Sequence, residues 1–118
     1  MALLEKDELL AVIERLINST KSGKLKWRPY QDRGEMEAET AKFVYYIKPR
    51  DDDDAPPYQF QVYAEGNRGM VLEVISSRDE LELQNAMSTL YSSSKLSALG
   101  IGSLKDEIFN DLTELDSE

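Results

Sequence analysis

The sequence predicts an α+β domain: an antiparallel meander of three to four strands, with an N-terminal helix and two C-terminal helices packed on one face. Three observations lead there. Between Phe43 and Ser77, runs rich in aromatic and β-branched residues are separated by clusters of turn residues, the punctuation of consecutive antiparallel strands. Ahead of them Leu9, Leu10, Ile13, Leu16 and Ile17 recur at spacings of three and four, the apolar stripe of an amphipathic helix. Behind them the same spacing returns twice, in Leu83, Ala86, Met87 and Leu90 and then in Leu104, Ile108, Leu112 and Leu115.

The first helix is expected from about Asp7, whose carboxylate can accept from the free amides of the first turn, to Lys21, with Ser22-Gly23 as its exit. A strand follows at Lys24–Arg28, where alternation places Leu25 and Trp27 on one face, and Pro29 ends it or marks a sheet edge. Residues Gln31 to Thr40 read as a polar connection with a turn signal at Asp32-Arg33-Gly34-Glu35. The Phe43–Ile47 strand is expected to begin anywhere from Glu37 to Lys42. The segment from Pro49 to Pro57 is a loop, because four adjacent aspartates repel one another and proline donates no ladder bond.

In Tyr58–Ala64 the residues Tyr58, Phe60, Val62 and Ala64 share one face, and Gln59, Gln61 and Tyr63 share the other. A tight hairpin through Glu65-Gly66-Asn67-Arg68-Gly69 leads into Met70–Ile75, of which Met70, Leu72 and Val74 are assigned to the core. The second helix is expected from Asp79 to about Ser93, with Leu96 and Leu99 able to carry it towards Gly100. The third begins at the box-like Ser103-Leu104-Lys105-Asp106, and residues 113–118 form an acidic tail that should fray. The whole chain, 1–118, is a single domain, long enough to bury roughly two thirds of its unfolded surface.

Composition narrows the chemistry. With neither cysteine nor histidine there is no disulfide framework, no thiolate zinc site and no nucleophile–base pair built on either residue. Acid–base work would fall to carboxylates, lysine or tyrosine; a Glu65/Glu73 pair is the one such arrangement in the strand region, and no enzyme is expected. No leader or membrane-length apolar run is present, which points to a cytoplasmic protein.

The net charge of −9 is unevenly spread: seven basic residues against four acidic ones from Lys24 to Arg50, four against fifteen from Asp51 onward. The dominant charge predicts a non-catalytic protein-binding module of inhibitor, immunity or adaptor type, or a nucleic-acid mimic. Its acidic surface would draw in a basic protein partner through Asp51, Asp52, Asp53, Asp54, Asp79, Glu80 and Glu82. The minority charge suggests the alternative of a protein that holds an anionic metabolite or nucleotide with Lys24, Lys26, Arg28, Tyr45 and Tyr63. Direct nucleic-acid binding is not expected of so acidic a domain. Neither a cofactor nor a metal is expected, since the aspartate run lacks the spacing and distal glutamate that close a calcium cage. Val44, Tyr46, Val71 and Ile75, on the nominal outer sheet face, would suit a homodimer contact.

Overall fold

The computed structural model describes residues 4–30, 34–50, 56–65, 69–101 and 104–117, and of Leu104 the backbone alone. Helix α1 (Lys6–Lys21) leads into strands β1 (Trp27–Tyr30), β2 (Glu35–Glu39), β3 (Phe43–Pro49), β4 (Tyr58–Ala64) and β5 (Met70–Ile75), and helices α2 (Leu81–Ala98) and α3 (Leu104–Asp116) follow. The sheet order is β1-β2-β3-β4-β5, every neighbouring pair antiparallel, so the architecture is the expected α+β meander with one strand more.

The additional strand is β2, which lies in the segment read as a polar connection. Its sequence Glu35-Met36-Glu37-Ala38-Glu39 alternates strictly, but glutamate is a poor strand former in isolation, and only pairing on both sides, to β1 and β3, makes this run a strand. Met36 and Ala38 thereby enter the core while the three glutamates line the other face.

That core lies between the sheet and the α1/α2 layer. Leu9, Ile13, Leu16 and Ile17 of α1 and Leu83, Met87, Leu90 and Tyr91 of α2 pack with Trp27, Met36, Ile47, Phe60 and Val62 from β1 to β4. Trp27 ties three elements together. Its indole Nε1 donates to Thr20 Oγ1 (2.8 Å), Thr20 donates on to the Leu16 carbonyl (2.6 Å), and the Trp27 amide donates to Ser97 Oγ (3.0 Å). The one indole is thus buried with its polar edge satisfied, and β1 is fixed to both helices.

Two details differ from expectation, and a third settles the open end of α2. The α1 entrance is capped two residues earlier than Asp7, at Glu5, whose amide donates to the Glu8 carboxylate (3.0 Å). Met70 is not in the core: β5 carries one extra residue at Val71, between the pairs Val62–Leu72 and Tyr63–Met70, and this bulge sets Met70 opposite Tyr63 on the outer face, 47% exposed. Helix α2 runs on through the serine triplet because Ser93 and Ser94 are buried and the Ser94 hydroxyl donates to the Tyr91 carbonyl inside the helix (2.6 Å).

Helix α3 extends to Asp116, through most of the tail expected to fray. It takes no part in the packed layer formed by α1 and α2: its side chains from 105 to 117 are all exposed, the apolar Ile108, Phe109, Leu112 and Leu115 included. The turn residues 66–68, the aspartates 51–54 and the Ser103 cap lie outside the described residues. Among the described residues no helix is long and apolar enough to cross a membrane.

Candidate functional site

With both packed helices on one side, no element among the described residues covers the other side of the sheet, and strand pairing arranges its residues in rows. One row runs Arg28, Glu37, Tyr46, Gln61, Glu73 across all five strands. A second holds Tyr30 beside Glu35 on β1 and β2, and Lys48, Gln59 and Ile75 on β3 to β5. The third runs Glu39, Val44, Tyr63, Met70.

At the β1–β4 end these rows enclose a concavity of about 540 Å³, a volume within the range of small-ligand and side-chain pockets. Three tyrosines form its walls. The rings of Tyr30 on β1 and Tyr46 on β3 meet at 5.0 Å, which requires both to lean across β2, above its glutamates; the Tyr46 and Tyr63 rings then meet nearly perpendicular at 5.4 Å. Glu35, Glu37, Glu39 and Glu65 supply the carboxylates.

The two glutamates beneath the rings differ in state. Glu37 is fully engaged: the Arg28 guanidinium meets its Oε1 through both Nε and Nη2 at 2.6 Å, and the Tyr46 hydroxyl bonds to the same carboxylate. Burial first, then that bond and the negative charge of Glu37, push the Tyr46 phenol well above the ordinary tyrosine range, so it stays a donor. Glu35, only 9% exposed, has no hydrogen bond or ion pair among the described residues. Burial raises its carboxyl above the usual 4.5; Lys48 opposes that and Glu37 adds to it. No polar side-chain atom among the described residues is both buried and unsatisfied, so the Glu35 oxygens open on the cavity.

A carboxyl raised in the folded state gives a pH dependence of definite sign. Below the ordinary carboxylate range Glu35 is protonated folded and unfolded, and it costs nothing. As pH rises the unfolded chain releases this proton first, so stability falls until the folded group has ionised as well. Glu35→Gln, which stays neutral, is therefore expected to match the parent in urea denaturation near pH 4 and to exceed it at pH 7. A gain of the same size at both pH values would assign it to something other than the charge.

The residues singled out from sequence are placed as follows. The anion set is not brought together: Tyr45 lies on the helix-covered side, stacked on Phe60 at 6.3 Å, while Tyr63 lies on the uncovered side. Arg28 is committed to Glu37, with Glu39 at 3.9 Å, and Lys24 and Lys26 are exposed ahead of the sheet edge. In the acidic set, Asp79, Glu80 and Glu82 stand at the entrance of α2, the Asp79 amide bonded to Ser77 Oγ (3.1 Å), and Asp51 to Asp54 lie outside the described residues. Glu73 accepts the side-chain amides of Gln61 (2.7 Å) and Gln59 (2.8 Å), which hold its carboxyl below the usual range, and Glu65 lines the cavity at the end of β4. Val44, Tyr46 and Ile75 occupy the uncovered face, and Val71 is the bulge residue.

Sequence reasoning missed Tyr30, Glu35, Glu37 and Glu39 as lining residues, and it did not tell Tyr46 from Tyr45. Their signal was the alternation of β2, which sends all three glutamates of a net-basic segment to the same face. Charge summed along the chain therefore has the opposite sign to charge on this surface. Among the described residues no three acidic groups converge closely enough to hold a metal ion. No family model matches the chain, and no curated protein or solved structure does either.

Proposed function

We propose that this chain is a non-catalytic binding module that receives a basic protein partner on the uncovered face of its sheet. The observation that carries this reading is the concavity walled by tyrosines and lined by four carboxylates on an otherwise helix-covered fold. Aromatic rings joined to acidic groups are the surface that cationic side chains favour, through ring faces and charge together, and the overall charge of −9 speeds the encounter. Catalysis is disfavoured on physical grounds. Neither histidine nor cysteine is present, so no nucleophile–base pair can be built on either residue. The absence of cysteine suits a reducing, cytoplasmic setting.

The test is fluorescence anisotropy with labelled twelve-residue peptides of basic, neutral and acidic composition at low and high salt. Basic peptides are expected to bind, and to weaken several-fold with salt as surface charges are screened. The double variant Glu39→Gln, Glu65→Gln should weaken them further. Equal binding of neutral peptides, or none by basic ones at any salt concentration, would overturn the proposal.

A further inference from the structure

We infer that the cavity is a socket for one arginine side chain of the partner, with Glu35 as the counter-ion that the guanidinium reaches alongside the tyrosine rings. This deepens the basic-partner reading and rests on it.

The first ground is the contrast within β2. Two residues apart on the same strand face, Glu37 carries a guanidinium and a phenol, while Glu35 is nine-tenths buried with no partner among the described residues and its oxygens open on the cavity. An ionised carboxylate withdrawn from water without a partner is a standing cost to the fold, and such a cost is retained at sites where a ligand supplies what is missing. The carboxylate is also not an isolated acid: it sits in a formed concavity beneath the Tyr30–Tyr46 ring contact.

The second ground is shape. Tyr30 and Tyr46 at 5.0 Å, with Tyr63 perpendicular to Tyr46 at 5.4 Å, line the cavity with aromatic surface, which suits a planar delocalised cation better than a compact hydrated one. The molecule supplies its own precedent in the adjacent row, where the Arg28 guanidinium approaches Glu37 with two nitrogens at 2.6 Å. It supplies a counter-example as well. Lys48, across the β2–β3 pairing from Glu35, acts on it through its field yet forms no ion pair with it among the described residues. A point charge on a flexible stem is at hand and does not fill the place; a fork that can hydrogen-bond and stack at once is what the geometry lacks.

The experiment uses one basic twelve-residue peptide in three versions, with arginine, lysine or citrulline at its central position, titrated by anisotropy into the full chain and into Glu35→Gln. Backbone amide NMR of the labelled protein locates the contact. The arginine peptide is expected to bind at least about tenfold tighter than the citrulline version, in which the charge is gone and the shape kept, and several-fold tighter than the lysine version. Glu35→Gln should lose about tenfold for arginine alone while melting no lower than the parent, and shifts should centre on Tyr30, Glu35, Tyr46 and Tyr63. If Glu35→Gln binds the arginine peptide within twofold of the parent, or arginine and lysine peptides bind alike, the socket is refuted, and continued salt-sensitive binding of basic peptides would leave the broader reading standing. If none of the peptides binds the parent protein, both fall together.

Discussion

Phe60→Ala is expected to lower the unfolding free energy by about 4 kcal/mol, the upper part of the range for emptying a buried aromatic site. Phe60 is wholly buried at the middle of β4, paired laterally with Ile47 and Val74 and stacked on Tyr45. A rigid β-ladder on both sides leaves little room for neighbours to close the cavity, so both the lost transfer energy and the cavity cost are felt. Against the 5–15 kcal/mol typical of a domain, about 4 kcal/mol is a large share, and the urea midpoint should fall by roughly 2 M with the slope unchanged. The functional consequence follows from alternation: Gln61 and Tyr63, on either side of Val62, line the outer cavity, and a shifted β4 misplaces them. A loss under about 1 kcal/mol would show that β4 is not clamped between helices and sheet neighbours, and the cavity would lose its rigid floor with it.

How much of this was legible in the sequence depends on which force sets each element. The stripe of α1 and the alternation of β4 were readable because burial of one face dictates both, and Leu9, Ile13, Phe60 and Val62 are core residues in fact. The order helix, strands, helices followed from the same signals. Strand β2 was not readable as a strand because no local preference makes it one; Glu35, Glu37 and Glu39 are tolerated only by pairing to β1 and β3, a tertiary effect. Met70 was misplaced because period-two reasoning assumes an unbroken register, and the extra residue at Val71 breaks it. The cavity was invisible for a related reason. Tyr30 and Tyr46 lie sixteen residues apart and meet over a strand whose sequence reads as a connection, so no spacing rule could join them. Tyr45 looked as suitable as Tyr46, and only the register decides which of two adjacent tyrosines faces the site.

Gly34→Val is expected to cost about 3 kcal/mol and to disturb the site more than any other change outside its lining. Gly34 stands immediately before Glu35 with φ at +76°, a left-handed conformation that costs a residue bearing a Cβ about 1–2 kcal/mol and is worst for a β-branched one. A second cost is steric. A Cβ there would stand 2.9 Å from the Tyr91 hydroxyl, which donates to the Gly34 carbonyl at 2.8 Å, so the bond from α2 that fixes the start of β2 must be stretched or given up, at about 1 kcal/mol. Gly34→Asn separates the two costs, because asparagine accepts the left-handed region but still meets Tyr91. Chemical denaturation should place Asn between Gly and Val; equal losses for the two would assign the whole effect to Tyr91. Because Glu35 is the next residue, either displacement re-aims its carboxylate, and the arginine-peptide affinity of the folded fraction should fall in the same order, Gly above Asn above Val. An affinity unchanged in the Val variant would mean that Glu35 is positioned by its pairing with Tyr30 alone, without the anchor from α2.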